Sequence, residues 1–434
     1  MFNNRLSFPQ TLHPRRRSSW LCSALLLLSL VPTHAGSSYA QTPTLRLGVV
    51  DLDEGDGLVQ LSRDYKEARV EAIRFGYSKL REQLVASRRE KTSDFDVILI
   101  DDPWFTEFGP SLLPLRNVRA GLLSDIVPAS LRLARYPYGS GELRALPFVG
   151  NTELMFVRKD IRADFGWTGV PTEWEALANQ AKQVEPLARQ MGKQGTFGYA
   201  IHGEGGAPIV SNFLPIYWSF GGHLLSEGTG PKKVLLDDRA FIDALQVYRT
   251  LMESSPPGAI AFDWSQMTSA FVKGSMFELN WPVAIPTIEG ALGQGSFGDR
   301  WEVALPPAGK MKATSMIGNW LLAIPDWAPN PRQAEAERFV VWALENQEKT
   351  AYALAPPTRR SVFEKLATER GKGYFTTILQ ALEMSTPRDR DENWSEIEAA
   401  VSSTVTDYLK GKMAAEEATK TLRSRLFAIV ERKD

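Results

Sequence analysis

Cysteine is all but missing: Cys22 is the only one in 434 residues. A single thiol cannot close an intrachain disulfide, so no cystine framework holds this fold. Histidine is nearly as scarce. His13 and His34 fall in the first forty residues, which leaves His202 and His223 for the rest. A zinc site of the usual Cys/His kind is therefore not expected, nor is any other metal or cofactor. Charge of one sign is missing too. With 50 basic and 51 acidic residues there is no polycation to hold a nucleic acid. Long hydrophobic runs are also absent. The longest, Trp20 to Val31, is well short of the roughly 20 residues that span a bilayer.

That run has a context. Arg15-Arg16-Arg17 precedes it and Ser38-Tyr39-Ala40 follows. A basic flank, an apolar middle and a small-x-Ala ending read as a signal peptide over residues 1–40, cleaved near Ala40. Cys22 lies near the start of the run, whereas a lipoprotein cysteine would follow it, so no lipid anchor is expected. Resemblance to a twin-arginine signal is weak, because Ser stands where a hydrophobic residue is expected after the pair. Residues 1–40 hold four arginines and no acid, so cleavage leaves 46 basic against 51 acidic residues, a net charge of −5.

The remaining length is enough for two cores, and 43% hydrophobic with 23% charged residues is an ordinary globular composition. Leu45 to Val50, Val70 to Phe75 and Phe95 to Ile100 read as strands, with a helix from Tyr77 to Val85 between the second and third. That alternation predicts a parallel α/β lobe. Leu52-Asp53-Glu54-Gly55-Asp56-Gly57 looks at first like a calcium loop, but an EF-hand starting at Asp51 needs Gly where Asp56 stands. A solvated turn is the expectation. Gly293-Gln294-Gly295-Ser296-Phe297-Gly298 spells a dinucleotide fingerprint, yet it neither follows a clear strand nor opens a helix, and it reads as a loop. Thr172 to Glu175 forms a capping box opening a helix.

The third strand ends in Asp101-Asp102-Pro103-Trp104. Open α/β sheets bind ligands beyond the carboxyl ends of their strands. A carboxylate beside an indole would suit a sugar, with acceptors for its hydroxyls and a flat surface for its C–H face. The other reading has Asp102 capping the next helix and Trp104 packed in the core. Further on, Ala145 to Asp160 runs Ala-Leu-Pro-Phe-Val-Gly-Asn-Thr-Glu-Leu-Met-Phe-Val-Arg-Lys-Asp. Pro147 suits the start of an extended segment, and Leu154 to Val157 a strand buried on both faces. Gly150 to Glu153 interrupt them with small or polar groups that would face a cleft.

Here the chain resembles the extracellular solute-binding proteins of carbohydrate ABC importers. In that family a Leu-Pro start, a polar cleft residue and a strand ending in Arg-Lys-Asp form the first crossing between two lobes; Pro147, Asn151 and Arg158-Lys159-Asp160 stand at those positions. Phe271 to Gly274 followed by a strand and Asn280-Trp281, Gly318-Asn319-Trp320 at a second crossing, and Pro357-Thr358-Arg359 at a third also match, although Asn319 replaces a glycine. The resemblance implies an α/β two-lobe periplasmic-binding-protein fold of type II with three interlobe crossings. Lobe 1 would be residues 41–148 plus 322–357, and lobe 2 residues 149–321 plus 358–434. It implies a non-enzymatic periplasmic monomer that captures a neutral di- or oligosaccharide and presents it to a membrane permease. Asp102, Trp104, Asn151, Trp218, Trp281, Trp320, Arg359 and Trp394 are the ligand-binding candidates. Trp218, Trp281 and Trp394 fit a core position equally well. Two other classes stay open: a glycosidase using Asp101 or Asp102 with Glu153, and a binder of iron or polyamine. No adjacent tyrosines occur for iron, and the many tryptophans with Arg359 argue against polyamine.

Overall fold

The computed structural model describes residues 42–92, 94–228, 230–294, 300–350, 355–369 and 372–432. The proposed signal peptide with its cleavage site, and Gly295 to Gly298 of the fingerprint-like loop, lie outside them. In chain order the strands are β1 (Thr44–Val50), β2 (Arg69–Phe75), β3 (Val97–Asp101), the short pair β4 (Arg135–Tyr136) and β5 (Glu142–Leu143), β6 (Ala145–Val149), β7 (Leu154–Arg158), β8 (Phe197–Ala200), β9 (Ser275–Asn280), β10 (Trp301–Ala304) and β11 (Trp320–Ala323). They make two main sheets. The first runs β2-β1-β3-β11-β6, with β1 parallel to β2 and β3 and with β11 antiparallel to β3 and β6. The second runs β10-β7-β9-β8, with β7 antiparallel to both neighbours and β8 parallel to β9. Helices pack on both, the α/β arrangement that the apolar runs led one to expect, in the two lobes that the resemblance implied.

The chain passes from one sheet to the other where three segments lie side by side. Thr152 bridges to Ile317, and Met316 bridges to Thr386. Gly318 N donates to Asn151 O at 2.9 Å and Thr386 N to Ser315 O at 2.8 Å. The buried Thr152 hydroxyl links those of Ser315, at 2.9 Å, and Ser385, at 2.7 Å, along this seam. The third segment is thus Ser385 to Pro387, not Pro357 to Arg359. The latter runs along the first sheet: Thr358 Oγ1 donates to Pro147 O at 2.6 Å, and Arg359 bridges to Ile126. Between these two stretches, the helix Tyr374–Glu383 touches both the helix Pro128–Leu133 beside the first sheet and β10 of the second. A boundary at residue 358 therefore does not separate the packing.

Two local expectations also change. Residues 53–62 form a helix, not a turn, with Asp53, Glu54 and Asp56 in its first turn where the N-terminal dipole favours them. Gly55 sits in that first turn. A Cβ there would stand 2.0 Å from Val50 O, so glycine lets the helix start close against the end of β1. The helix Trp174–Gln190 begins after Glu173 without a side-chain cap, so the expected capping box is not made. Such a box forms instead at Asp263 and Gln266, before the helix Trp264–Lys273.

Candidate functional site

A cavity of about 490 Å³ lies at the crossings, with walls from both sheets. The first sheet's side supplies Leu52, Asp53, Glu54, Tyr77, Asp101 and Trp320; the crossings supply Asn151 and Gly318; the second side supplies Ala207, Pro208, Ser211, Trp264, Trp281, Val283 and Arg388. The first wall follows from topology. Asp101 ends β3, Asp53 and Glu54 begin the helix after β1, and both strand ends open onto the same crevice.

Asp101 accepts the Tyr77 hydroxyl at 2.7 Å and the amide of Asp102 at 2.9 Å. Burial pushes its carboxyl up to about 7, against the pull of the Arg388 guanidinium. Glu54 accepts from Asn151 Nδ2 at 3.0 Å, and burial lifts it to about 7 as well. The other amide atom, Asn151 Oδ1, is buried and has no partner. Tyr77, Trp104 and Trp320 form one aromatic group, with centroids 4.7 Å apart for Tyr77–Trp104 and 6.0 Å for Trp104–Trp320. On the opposite wall Trp281 lies across Gly318, where a Cβ would come within 2.7 Å of the indole. Only glycine lets the crossing pass that close to the ring. Trp264 stands 6.3 Å from Trp281, centroid to centroid, with its other side on the buried ring of His202 at 3.8 Å. Desolvation drops His202 to about 3, which makes it a neutral imidazole.

Of the eight candidate residues, the structure brings Asn151, Trp281 and Trp320 together in this cavity. Asp102 points away from it. Its buried carboxylate receives Arg388 at 3.1 Å and Arg390 at 2.8 Å, a brace beneath the cleft floor. Trp104 backs Tyr77 and Trp320 from behind. Trp218 and Trp394 pack in the core of the second sheet's side. Arg359 grips Asp125 at 2.8 Å and the carbonyl of Glu345 at 2.9 Å, on the far side of the first sheet's packing. The enzyme reading needs Asp101 or Asp102 to face Glu153, but Glu153 is buried under Asn212, 2.9 Å away, and does not line the cavity.

The residues not foreseen are Asp53, Glu54, Tyr77, Trp264 and Arg388, together with Asp101 as the cleft carboxylate. A signal existed for two of them. Pro387-Arg388 repeats, after another helix, the proline and arginine sought at Pro357 and Arg359. Tyr77 opens a helix straight after a strand end, where ligands approach. Among the described residues no group of three or more His, Cys, Asp or Glu is placed to hold a metal, and no helix is long and apolar enough to cross a membrane.

Known proteins share this architecture. Maltose-bound MalE3 of T. maritima superposes with a TM-score of 0.74 at 23% identity, over 88% of this chain and 98% of that one. A solute-binding protein of an ABC transporter from Agrobacterium radiobacter, solved with ribitol, gives 0.74 at 21% identity, over 88% and 97%. A probable ABC transporter-binding protein of Deinococcus radiodurans is 26% identical over 355 residues, 78% of this chain and 81% of the relative. Residues 53–350 match the family described as bacterial extracellular solute-binding protein, and the chain belongs to that family.

Proposed function

We propose that this solute-binding protein captures a sugar or sugar alcohol in the cleft and hands it to an ABC importer permease outside the cytoplasmic membrane. One observation carries the reading: carboxylates and an amide on one wall face indoles on the other, inside a single cavity at the crossings. Hydroxyl groups along a sugar edge would meet the first wall, and its C–H face would lie on Trp281 or Trp264. The relatives solved with maltose and ribitol, and the one named as an ABC transporter-binding protein, support the same reading.

Binding works by closure. A ligand touching both walls binds the closed arrangement better than the open one and shifts the population towards it. The hinge is the seam of 151–153, 315–318 and 385–387, where a few crossing residues absorb the rotation. The lobe around the first sheet then extends to residue 149 and takes in 319–384, apart from the shared helix Tyr374–Glu383. The protein works as a periplasmic monomer and carries out no covalent chemistry on its ligand. Calorimetry across sugars and sugar alcohols is expected to show micromolar affinity, about −8 kcal/mol. Silence from all of them with tight binding of iron or spermidine would overturn the reading.

A further inference from the structure

The cleft's hydrogen-bonding capacity is lopsided. Asp53, Glu54 and Asp101 all line it, and among the described residues no lysine or arginine lies within ion-pair distance of any of the three. Arg388 is the one basic side chain in the lining, and its guanidinium is held on the buried carboxylate of Asp102. The hydroxyl protons are committed as well: Tyr77 donates to Asp101 and Ser211 to the carbonyl of Pro208. Asn151 is 4% exposed; it spends its amino group on Glu54, and its oxygen is left with nothing. Acceptors thus crowd the end of the cavity where Glu54 and Asn151 meet Gly318, and the Trp281 ring covers that glycine.

Resting on the sugar-binding reading above, we infer that the preferred ligand is a sugar or sugar alcohol bearing a protonated amine, whose ammonium sits against Glu54, Asn151 Oδ1 and the face of Trp281. A hydroxyl brings one proton and two lone pairs, and beside Glu54 and Asn151 those lone pairs meet chiefly carboxyl and amide oxygens, the indole N–H groups lying on the tryptophans of the cavity. An ammonium brings three protons and no lone pair, which matches what the wall lacks. The indole face adds cation–π attraction, which a neutral hydroxyl does not gain. The carboxyls are raised by burial, Glu54 and Asp101 each to about 7 and Asp53 in the same direction with Asp56 adding to it. A cation placed among them relieves that cost. The sequence led to a neutral saccharide as the expectation; Arg359, which counted there against a cationic ligand, lies outside the cleft on Asp125.

The test uses matched pairs on the full mature chain by calorimetry: glucosamine against glucose, the β-1,4 disaccharide of glucosamine against cellobiose, and 1-amino-1-deoxysorbitol against sorbitol, with spermidine as a separate arm. The amine of at least one pair is expected to bind about tenfold to a hundredfold tighter than its partner, the range of a hydrogen bond to a charged group. Glu54→Gln, which keeps the shape and removes the charge, should bring that ratio towards one, while Glu173→Ala on an exposed helix start should leave it alone. Neutral members binding as tightly as their amines would overturn the inference and leave the sugar reading standing. Heat from spermidine alone would overturn both. Silence from every compound, or a ratio unmoved in Glu54→Gln, would also overturn it.

Discussion

On the side of the five-stranded sheet the cleft is walled by Asp53, Glu54 and Asp101, and on the side of the four-stranded sheet by Trp264, Trp281, Pro208 and Val283. The two walls are made the same way. Each takes its residues from the end of a strand and the start of a helix: β3 and the helix Asp53–Ser62 on one side, β9 with the helices Trp264–Lys273 and Ala207–Ser219 on the other. Topology therefore fixes where the cleft lies, while the chemistry of each wall is a matter of single side chains. One wall is polar and short of counter-charge; the other is flat and apolar. Breaking the two selectively separates what holds the cleft together from what holds the ligand.

The largest effect is expected at the brace beneath both walls. Asp102 comes from the first sheet's side and is buried with Arg388 and Arg390, which follow the third crossing. Asp102→Ala leaves two buried guanidinium groups without their carboxylate. Removing one partner of a buried pair costs about 3–5 kcal/mol. Chemical denaturation should show that loss, and a variant as stable as the parent would mean the brace is not closed in solution.

A second contrast concerns carboxyls away from the ligand. Glu278 lies wholly inside the second sheet, with Asn280 Nδ2 at 3.3 Å and, among the described residues, no cation within ion-pair distance, and burial raises it from 4.5 to about 8. A carboxyl raised on folding binds more protons in the native state between those two values. Stability should therefore fall as pH rises from about 4.5 to about 8, by at most about 1.4 kcal/mol per unit, and level off above. Glu278→Gln removes this contribution. Melting temperatures of the unliganded protein from pH 5 to 9 should fall less steeply for the variant. Parallel curves would show that Glu278 does not titrate in this window.

Arg359 gives a smaller effect of a different kind. Its guanidinium ties Asp125 to the last carbonyls of the helix Gln333–Glu345, away from the cavity. Arg359→Ala should cost about 1–3 kcal/mol of stability through groups left unpaired, with ligand affinity unchanged in the folded protein. Weakened binding at full stability would return Arg359 to the cleft.

These assignments show what the sequence made legible. The apolar runs that became β1, β3, β7 and β9, and the polar break at Gly150 to Glu153, were readable because burial leaves a periodic trace. Trp281 follows from a strand end, whereas Asn151 and Trp320 were named through the resemblance to the family. The choice between Asp101 and Asp102 was not readable. The strand becomes a 3₁₀ turn between them, so alternation stops applying at the residue where it is needed. The helix at Asp53 was taken for a turn because its acidic run looks like a calcium loop, and the close approach of Gly55 to Val50 that seats the helix leaves no local trace. Arg388 and Arg359 each follow a proline by one or two positions. Only the path of the helices between them shows which one reaches the crossing.

The smallest effect tests the apolar wall alone. Trp281 is half-buried at the edge of the second sheet's core, and its ring lies against Gly318 and near Trp264. Trp281→Ala should therefore weaken ligand binding by about twofold to tenfold, since an aromatic stack is worth about 0.5–1.5 kcal/mol beyond the area it covers. The melting temperature of the unliganded protein should hardly move. Trp218→Phe is the opposite case: Trp218 is fully buried in the second sheet's core, so the smaller ring should lower stability and leave affinity as it was. Measured together by calorimetry and thermal melting, the two variants should fall on different axes. If Trp281→Ala destabilises the unliganded protein and keeps its affinity, the indole belongs to the core and the ligand's flat face must lie on Trp264 or Trp320 instead.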